Sequence, residues 1–494
     1  MPSTRKRRSA QGRVLIGIDV GTTVLKACAF DADSGALAAR AAHRLPVRLL
    51  ADGGREQTVR ALDRAFQGVL AALREHLGRH WAAVSGIGVA AQGGSSIIAD
   101  RGTGAPLTPM VLWNDARAHG HAASIAERTT PEFWREFTLR DGVPHGLARL
   151  AWLRDRAPQL FCDANIHIGA GEWMFHRLTG LWRQDPGNAI QTGAYNAAAK
   201  RLDPAAFALI GLALPLVARL RQGHETAPLC TETARRLQLP SGIPVAGPYI
   251  DQEAGYLSAV GVSSRPAHCS LGTAWVCNYA RPDSRALDSP AQLALGPVTG
   301  EGQLVVLPLR TGNTAWDWAL TTLLDPDLPN AIRKAEAVFR TRLAPPPGLV
   351  AVPHLAQRNP LFPEAYGAGT FWGINAATDT GDLVRAVAAG MVFELADALR
   401  RALSGGLADC IVVGGGASKA GCFCRLIAAL FPGGGVQRQR EEDWAVARGA
   451  VYALAPAIAR APADTVRRPG ASLCRAVEDA ENHYAQVRQR FNLY

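Results

Sequence analysis

The sequence predicts an α/β protein built of two similar halves, and three observations carry that prediction. Apolar β-like runs alternate with longer amphipathic stretches along the chain. A strand, an acid and a glycine-containing turn occur near residue 19 and recur, loosely, near 251 and 272. The 494 residues, 48% hydrophobic and 19% charged, suffice for a large core and are too many for one compact domain.

The first strand lies in "VLIGIDVGTTVLKACAFD" (14 to 31), where the Gly21-Thr22-Thr23 turn leads into a returning strand. The runs 85–93, 243–250, 303–309 and 409–416 also read as strands bounded by glycine or proline. Between them, residues 58–78 and 382–403 repeat apolar side chains at spacings of three and four, the signature of amphipathic helices.

Charge and cysteine content exclude several classes. The 53 Lys+Arg against 42 Asp+Glu give +11, but Arg5, Lys6, Arg7, Arg8 and Arg13 supply nearly half of that excess. No aromatic residue interleaves with this basic start and no apolar signal-type stretch follows, so it reads as a disordered leader, not as a nucleic-acid or membrane patch. No uninterrupted apolar run of roughly eighteen residues appears, which argues for a protein that is not exported and has no membrane partner. Nine scattered cysteines fit reduced cytoplasmic thiols better than a disulfide framework. Cys422 and Cys424 lack a matching His/Cys pair and read as helix cysteines.

The opening segment also raises a chemical question, because a lone acid sits beside a turn rich in donors. Oriented N–H groups and the hydroxyls of Thr22 and Thr23 form a concavity suited to a polyphosphate. Asp19 would then hold a magnesium ion, since a carboxylate alone would repel the phosphate. The alternative is an ordinary hairpin with an acid in its turn. "SLGTAW" (270 to 275) is a second Gly-Thr turn, and "VVGGGASKAGCFCRLIAALF" (412 to 431) is a strand, three glycines and a helix, where the backbone can approach an adenosine closely.

The order of these segments resembles that of the FGGY carbohydrate kinases, members of the sugar kinase, actin and heat-shock chaperone ATPase superfamily. The likeness runs from about residue 14 to 456 and is greatest to the bacterial xylulose kinases. "IGIDVGTTVLKA" is similar to their first phosphate motif, and residues 90–118, with "VLWNDARA", to their sugar-site strand. "GPYIDQEAGYLSAVGV" (247 to 262) resembles the segment bearing the catalytic aspartate. "SLGTA" resembles the second phosphate motif, 369–399 a later signature, and the 414–431 stretch the adenosine motif.

The resemblance implies two actin-like (ribonuclease H-like) domains, each a mixed sheet flanked by helices, with a catalytic cleft between them. It divides the chain into a leader (1–11), an N-terminal sugar-binding domain (12–248) and a C-terminal nucleotide-binding domain (249–494). It implies ATP and Mg2+, a small-molecule sugar or polyol, and a homodimer. On it, Gly21, Thr22, Thr23, Lys26, Gly272, Thr273, Gly415, Gly416 and Ala417 serve the nucleotide, with a β-branched residue at Gly415 expected to intrude on it. Gln92, Gly93, Trp113, Asp115, Arg117 and Asp251 serve the sugar, and Trp316, Asp317 and Arg358 match cleft-lining positions. Three departures leave the sugar open. Gln92-Gly93-Gly94-Ser95 replaces a Gln-Met-His-Gly stretch, Arg149 replaces a lysine, and Tyr249 to Glu253 replace Gly-Gly-Asp-Asn.

Phosphoryl transfer through a loose transition state demands alignment and charge neutralisation more than basicity. Asp251, after an apolar strand and before a small-residue helix, can accept the hydroxyl proton. It could instead be a helix N-cap, and Glu253 is a competing base that also suits the first helical turn. Asp115 and Arg117 could contact a polyol or pair with each other on the surface. A kinase transferring the γ-phosphoryl of ATP, most simply to a ketopentose such as xylulose, is the leading reading. A catalytically inactive nucleotide and sugar sensor on the same fold is its alternative.

Overall fold

The computed structural model describes residues 12–282, 293–295, 303–355, 369–433 and 435–491. The leader (1–11) and Arg358 lie outside the described residues. The chain forms two compact units. One comprises the residues up to Thr129, Val143–Gly261 and Val446–Arg460; the other comprises Thr130–Gly142, Val262–Ala445 and the residues from Ala461 on.

In the first unit a six-stranded sheet has the order Thr226–Pro228, Pro244–Ile250, Val84–Ala91, Val14–Val20, Val24–Asp31, Leu37–Arg44. The strands Val14–Val20, Val84–Ala91 and Pro244–Ile250 run parallel, Val24–Asp31 returns antiparallel to the first of them, and Leu37–Arg44 pairs antiparallel with Val24–Asp31. The pleat sends Val14, Ile16, Ile18 and Val20 to one face, where they join Leu62, Phe66 and Val69 of the helix Val59–Leu77 in the core. Thr58 caps that helix, its Oγ1 accepting from Ala61 N at 3.2 Å.

Gly17 and Asp19 point to the other face, which is lined with small residues. A Cβ at Gly17 would overlap the Ala447 carbonyl, and one at Gly88 the Ala450 carbonyl. One at Gly449 would overlap the carbonyl of Ala254, which lies in the helix Asp251–Val260. Backbone therefore rests on backbone in two successive layers, and the helix that begins at Asp251 is seated against the sheet that carries Asp19.

The second unit repeats the pattern. Its seven-stranded sheet has the order Leu293–Leu295, Gln303–Pro308, Trp275–Arg281, Pro266–Leu271, Cys410–Gly414, Val436–Gln439, Ala463–Thr465. Pro266–Leu271 and Cys410–Gly414 are parallel, and Trp275–Arg281 returns antiparallel, as Val24–Asp31 does in the first unit. The helix Thr380–Ser404 starts with a reciprocal cap: Asp382 N donates to Asp379 Oδ1 at 2.7 Å and Asp379 N to Asp382 Oδ2 at 3.4 Å. The helix Ala471–Arg490 packs in this unit, where Tyr484 Oη donates to Glu394 at 2.7 Å and Arg488 pairs with the same carboxylate at 3.0 Å. Trp316 stands edge-on to Phe423 with centroids 4.9 Å apart, so it is a core residue, and Asp317 is exposed. Cys422 and Cys424 are buried on the helix Gly421–Leu430. Among the described residues no helix is long and apolar enough to cross a membrane.

Two sequence expectations change here. A division at 248/249 would cut the strand Pro244–Ile250, and the observed break follows Gly261 because the helix Asp251–Val260 packs with the first unit. The motif near 251 is the end of a third parallel strand of the first unit; the repeat of the 14–31 hairpin is 266–281.

The layered backbone contacts predict that Gly17→Val destabilises the protein by roughly 3 kcal/mol, lowering the thermal midpoint of its unit by roughly 6–12 °C. Gly120, in the helix His119–Ala126, has open space where a Cβ would stand, and Gly120→Ala is expected to stabilise by about 0.5–1 kcal/mol. Calorimetry of the two variants against the parent checks the contrast.

Candidate active site

The first unit gathers its chemistry where three parallel strands end in register. Val20 pairs with Ala91, and Ala91 with Ile250. The residues that follow are Gly21-Thr22-Thr23, Gln92-Gly93-Gly94 and Asp251, so segments 70 to 230 residues apart in sequence emerge side by side at the carboxyl edge of the sheet, where ligands bind in open α/β folds.

Hydrogen bonds tie these segments together. Gly21 N donates to Val24 O at 3.1 Å and closes the first turn. Trp113 Nε1 donates to Thr22 Oγ1 at 3.1 Å, and that hydroxyl donates onward to Gln92 Oε1 at 3.1 Å. Gln57 Nε2 donates to Thr22 O at 2.6 Å. The Thr22 hydroxyl is thus engaged with Trp113 and Gln92, whereas Thr23 is exposed. Gln92 is buried with its amide on the turn, Nε2 reaching Gly21 O at 3.5 Å.

Asp19 is buried, and that burial raises its pKa against the pull of Lys26, its cross-strand partner 3.9 Å away. Lys26, expected to serve the nucleotide, is therefore paired with Asp19. Asp251 is partly exposed, and burial first, then the charge of Asp19, push its carboxyl up to about 7. The helix cap falls on Ile250, which has no side chain to cap with, while Asp251 is the first helical residue and its Oδ1 accepts from Gln252 N at 2.8 Å. Asp251 is not the N-cap.

Glu253 does not cap the first turn. It is buried against Arg221, whose Nη2 donates to both of its oxygens at 3.0 Å and to Asp185 Oδ2 at 2.8 Å. Burial raises the Glu253 carboxyl well above its usual range. Arg221 also donates from Nε to Pro248 O at 3.0 Å and lies 4.4 Å over the Tyr249 ring, so it holds the chain on both sides of Asp251, by a carbonyl and a ring before it and by the Glu253 carboxylate after it.

Asp115 and Arg117 do pair, but they are buried, not on the surface. Arg117 Nη2 donates to Asp115 Oδ2 at 2.7 Å and pairs with Glu56 at 2.8 Å, and the guanidinium lies 4.3 Å over Trp152. Arg55 N takes Asp115 Oδ2 as well, at 2.7 Å. The charges of the WNDxR segment are therefore satisfied internally. Arg149 is buried and holds the same region: Nη1 donates to Gly94 O and Nη2 to Trp113 O at 2.9 Å, while burial pushes the guanidinium down to about 10.

The second unit places its glycine turns at the corresponding strand ends, Ser270 pairing with Gly414. Asn313 N donates to Gly272 O at 3.2 Å, and Trp275 Nε1 to Asn313 Oδ1 at 3.0 Å, which fixes the Gly272–Thr273 turn; Thr273 is exposed. Gly415 has φ +84°, and a Cβ there would lie 2.7 Å from the Leu271 backbone. A substitution at Gly415, where a side chain is expected to intrude on the nucleotide, therefore also strikes the neighbouring strand. Gly416 is exposed, with a Cβ position 3.8 Å from Asn313 Nδ2, and Ala417 is buried.

Sequence reasoning missed Arg221, Asp185, Gln57 and Gln191. Asp185-Pro186 carries a helix-start signal, and Asp185 does cap the helix Pro186–Gln191, but nothing in the sequence links it to Arg221.

Comparison with known proteins accounts for both halves. Residues 14–258 match the N-terminal domain and 267–458 the C-terminal domain of the FGGY family of carbohydrate kinases. The chain is 27% identical to a xylulose kinase of Streptomyces rubiginosus over 83% of this chain and 81% of that one. It is 26% identical to an erythritol kinase of Brucella abortus over 92% and 89%. The crystal structure of xylulose kinase from Rhodospirillum rubrum superposes with a TM-score of 0.84 at 19% identity, over 97% of this chain and 99% of that one. Nothing in these likenesses supports a catalytically inactive sensor. With its two repeated sheets and its motifs at their strand ends, the chain belongs to the FGGY family of carbohydrate kinases, phosphotransferases with an alcohol group as acceptor.

Proposed function

We propose that this kinase transfers the γ-phosphoryl group of ATP to a hydroxyl of a ketopentose such as xylulose, with Asp251 as the general base. The observation that carries the reading is the contrast between Asp251 and its neighbours. Glu253 is committed to Arg221 and Asp115 to Arg117, whereas Asp251 stands partly exposed at the end of the third parallel strand, its carboxyl poised near neutrality. The likeness to xylulose kinases supports the acceptor. All nine cysteines are free, which supports a cytoplasmic setting.

In this reading the exposed Thr23 and the backbone of the Gly21–Thr23 turn meet phosphate oxygens, while Thr22 holds the turn to Trp113 and Gln92. Gly272, Thr273, Gly416 and Ala417 serve the nucleotide from the second unit's turns. Asp19 fits a magnesium ion: it is a buried carboxylate whose charge presses on Asp251, beside a turn suited to phosphate. Among the described residues no cluster of three or more acids, histidines or cysteines could hold a metal alone, which suits a cation that takes its other ligands from phosphate and water. Magnesium, when bound, neutralises charge on the transferring phosphates. Asp251 accepts the hydroxyl proton as the oxygen attacks, and its fixed backbone holds it to that line.

Asp251→Asn preserves shape while removing the proton acceptor. Turnover should fall on the order of a hundred- to ten-thousand-fold with little change in the KM for ATP or in thermal midpoint. Sugar-dependent ADP release measures it, and near-normal turnover would exclude Asp251 as the base.

The ionised carboxylate is the active form, so kcat/KM should fall towards tenfold per unit as the pH drops below about 7 and level off above it. A profile flat from pH 5.5 to 8 in a Good's buffer series would contradict this.

Gly416→Val should raise the KM for ATP several-fold and leave the thermal midpoint in place, because a Cβ there meets nothing nearer than Asn313 Nδ2 at 3.8 Å, an ordinary contact. Gly415→Val should instead lower the midpoint, since it collides with Leu271. Equal melting curves for the two variants would refute the distinction.

A further inference from the structure

The loop that follows the central parallel strand has two glycines where side chains would be expected to face an acceptor, and the space beside them is filled from elsewhere. A Cβ at Gly93 would overlap the end of the Ile250 side chain and lie 2.7 Å from Gln191 Nε2. One at Gly94, whose φ is +71°, would lie 2.5 Å from Gln191 Oε1 and 3.4 Å from Trp113 Cβ. Both atoms of the Gln191 amide therefore sit against the loop, with Ile250, the residue before Asp251, on one side and Trp113 on the other.

The backbone beneath Gln191 is firmly held. Gln191 ends the helix Pro186–Gln191, whose cap Asp185 accepts from Gly187 N at 2.6 Å and is gripped by Arg221. Asn188 in the middle of the helix takes Gly94 N on its Oδ1 at 2.8 Å and donates from Nδ2 to Glu172 at 3.0 Å. The amide of Gln191 itself makes one long hydrogen bond among the described residues, from Nε2 to Gly187 O at 3.4 Å, and the residue is partly exposed. A donor and an acceptor held in place but barely used are what recognition of a hydroxyl requires.

We propose that Gln191 is a specificity-determining residue of the acceptor site, its amide taking the place of the side chains that Gly93 and Gly94 lack, and that the acceptor it reads is an uncharged ketose or polyol. The choice of an uncharged acceptor follows from the cations nearby. Arg117 is spent on Asp115, Glu56 and the Trp152 face, and Arg149 on the carbonyls of Gly94 and Trp113. A sugar acid would meet a neutral amide and the carboxylate of Asp251. The inference rests on the kinase reading above and refines its acceptor.

The test compares the full-length protein with Gln191→Leu and Gln191→Glu on D-xylulose, erythritol, glycerol and gluconate. Wild-type turnover across the panel tests the kinase reading by itself. For an acceptor that the wild type uses, Gln191→Leu should raise its KM about tenfold, as loss of a hydrogen bond to a hydroxyl does, with the KM for ATP and the thermal midpoint unchanged. Gln191→Glu should weaken gluconate more than the uncharged compounds. The rise in thermal midpoint that each acceptor produces without ATP reports binding without any phosphoryl transfer, and it should shrink in Gln191→Leu. An acceptor KM and thermal shift equal to the wild type's would overturn the proposal. So would a loss shared equally by the KM for ATP, or gluconate as the acceptor most favoured by the wild type.

Discussion

The site depends on one geometric constraint, the shared register of three parallel strand ends held by backbone-to-backbone contact. Val20, Ala91 and Ile250 lie abreast, so the residue after each emerges at the same edge. That alignment would leave the helix at Asp251 free to tilt if side chains separated it from the sheet. Gly17 and Gly88 of the sheet instead admit the carbonyls of Ala447 and Ala450, and Gly449 in that same intervening segment admits the carbonyl of Ala254 in the helix. A layer of close-packed backbone cannot shift without collision, and so it fixes the relation between Asp19 and Asp251.

Electrostatics then sets Asp251 apart from the carboxylates around it. The first unit buries Asp115, Glu253 and Asp185 close to its chemistry, and each is matched with a guanidinium: Arg117 for the first, Arg221 for the other two. Breaking such buried pairs would leave an uncompensated charge, so these residues keep the segments in place, each committed to its guanidinium. Among the described residues Asp251 has no such partner, and Asp19 pairs with Lys26 at 3.9 Å. The charge of Asp19 raises the cost of ionising Asp251.

Much of the fold was legible because its signals are local. The strand at 243–250 and the helices at 58–78 and 382–403 appear within a residue or two of where periodicity places them, since hydrophobic spacing acts over a single turn; Thr58 and Asp379 cap the two helices. The candidate site was legible as a set of segments and less so as a set of roles. The ion pair of Glu253 and the close approach at Gly415 were not legible because their partners, Arg221 and the Leu271 backbone, are 32 and 144 residues away, beyond any local pattern.

The sequence by itself determined the family, the alternation of strand and helix, and the residues that follow each strand, because motif order and side-chain period are properties of contiguous chain. Only the tertiary structure decided which polar groups remain free to act. It tied the Thr22 hydroxyl to Trp113 and Gln92, paired Asp115 with Arg117 in the interior, and brought Gln191 into the space beside Gly93 and Gly94. The physical reason is that a hydrogen bond or ion pair depends on separations of about 3 Å in space, and register and packing set those separations independently of distance along the chain.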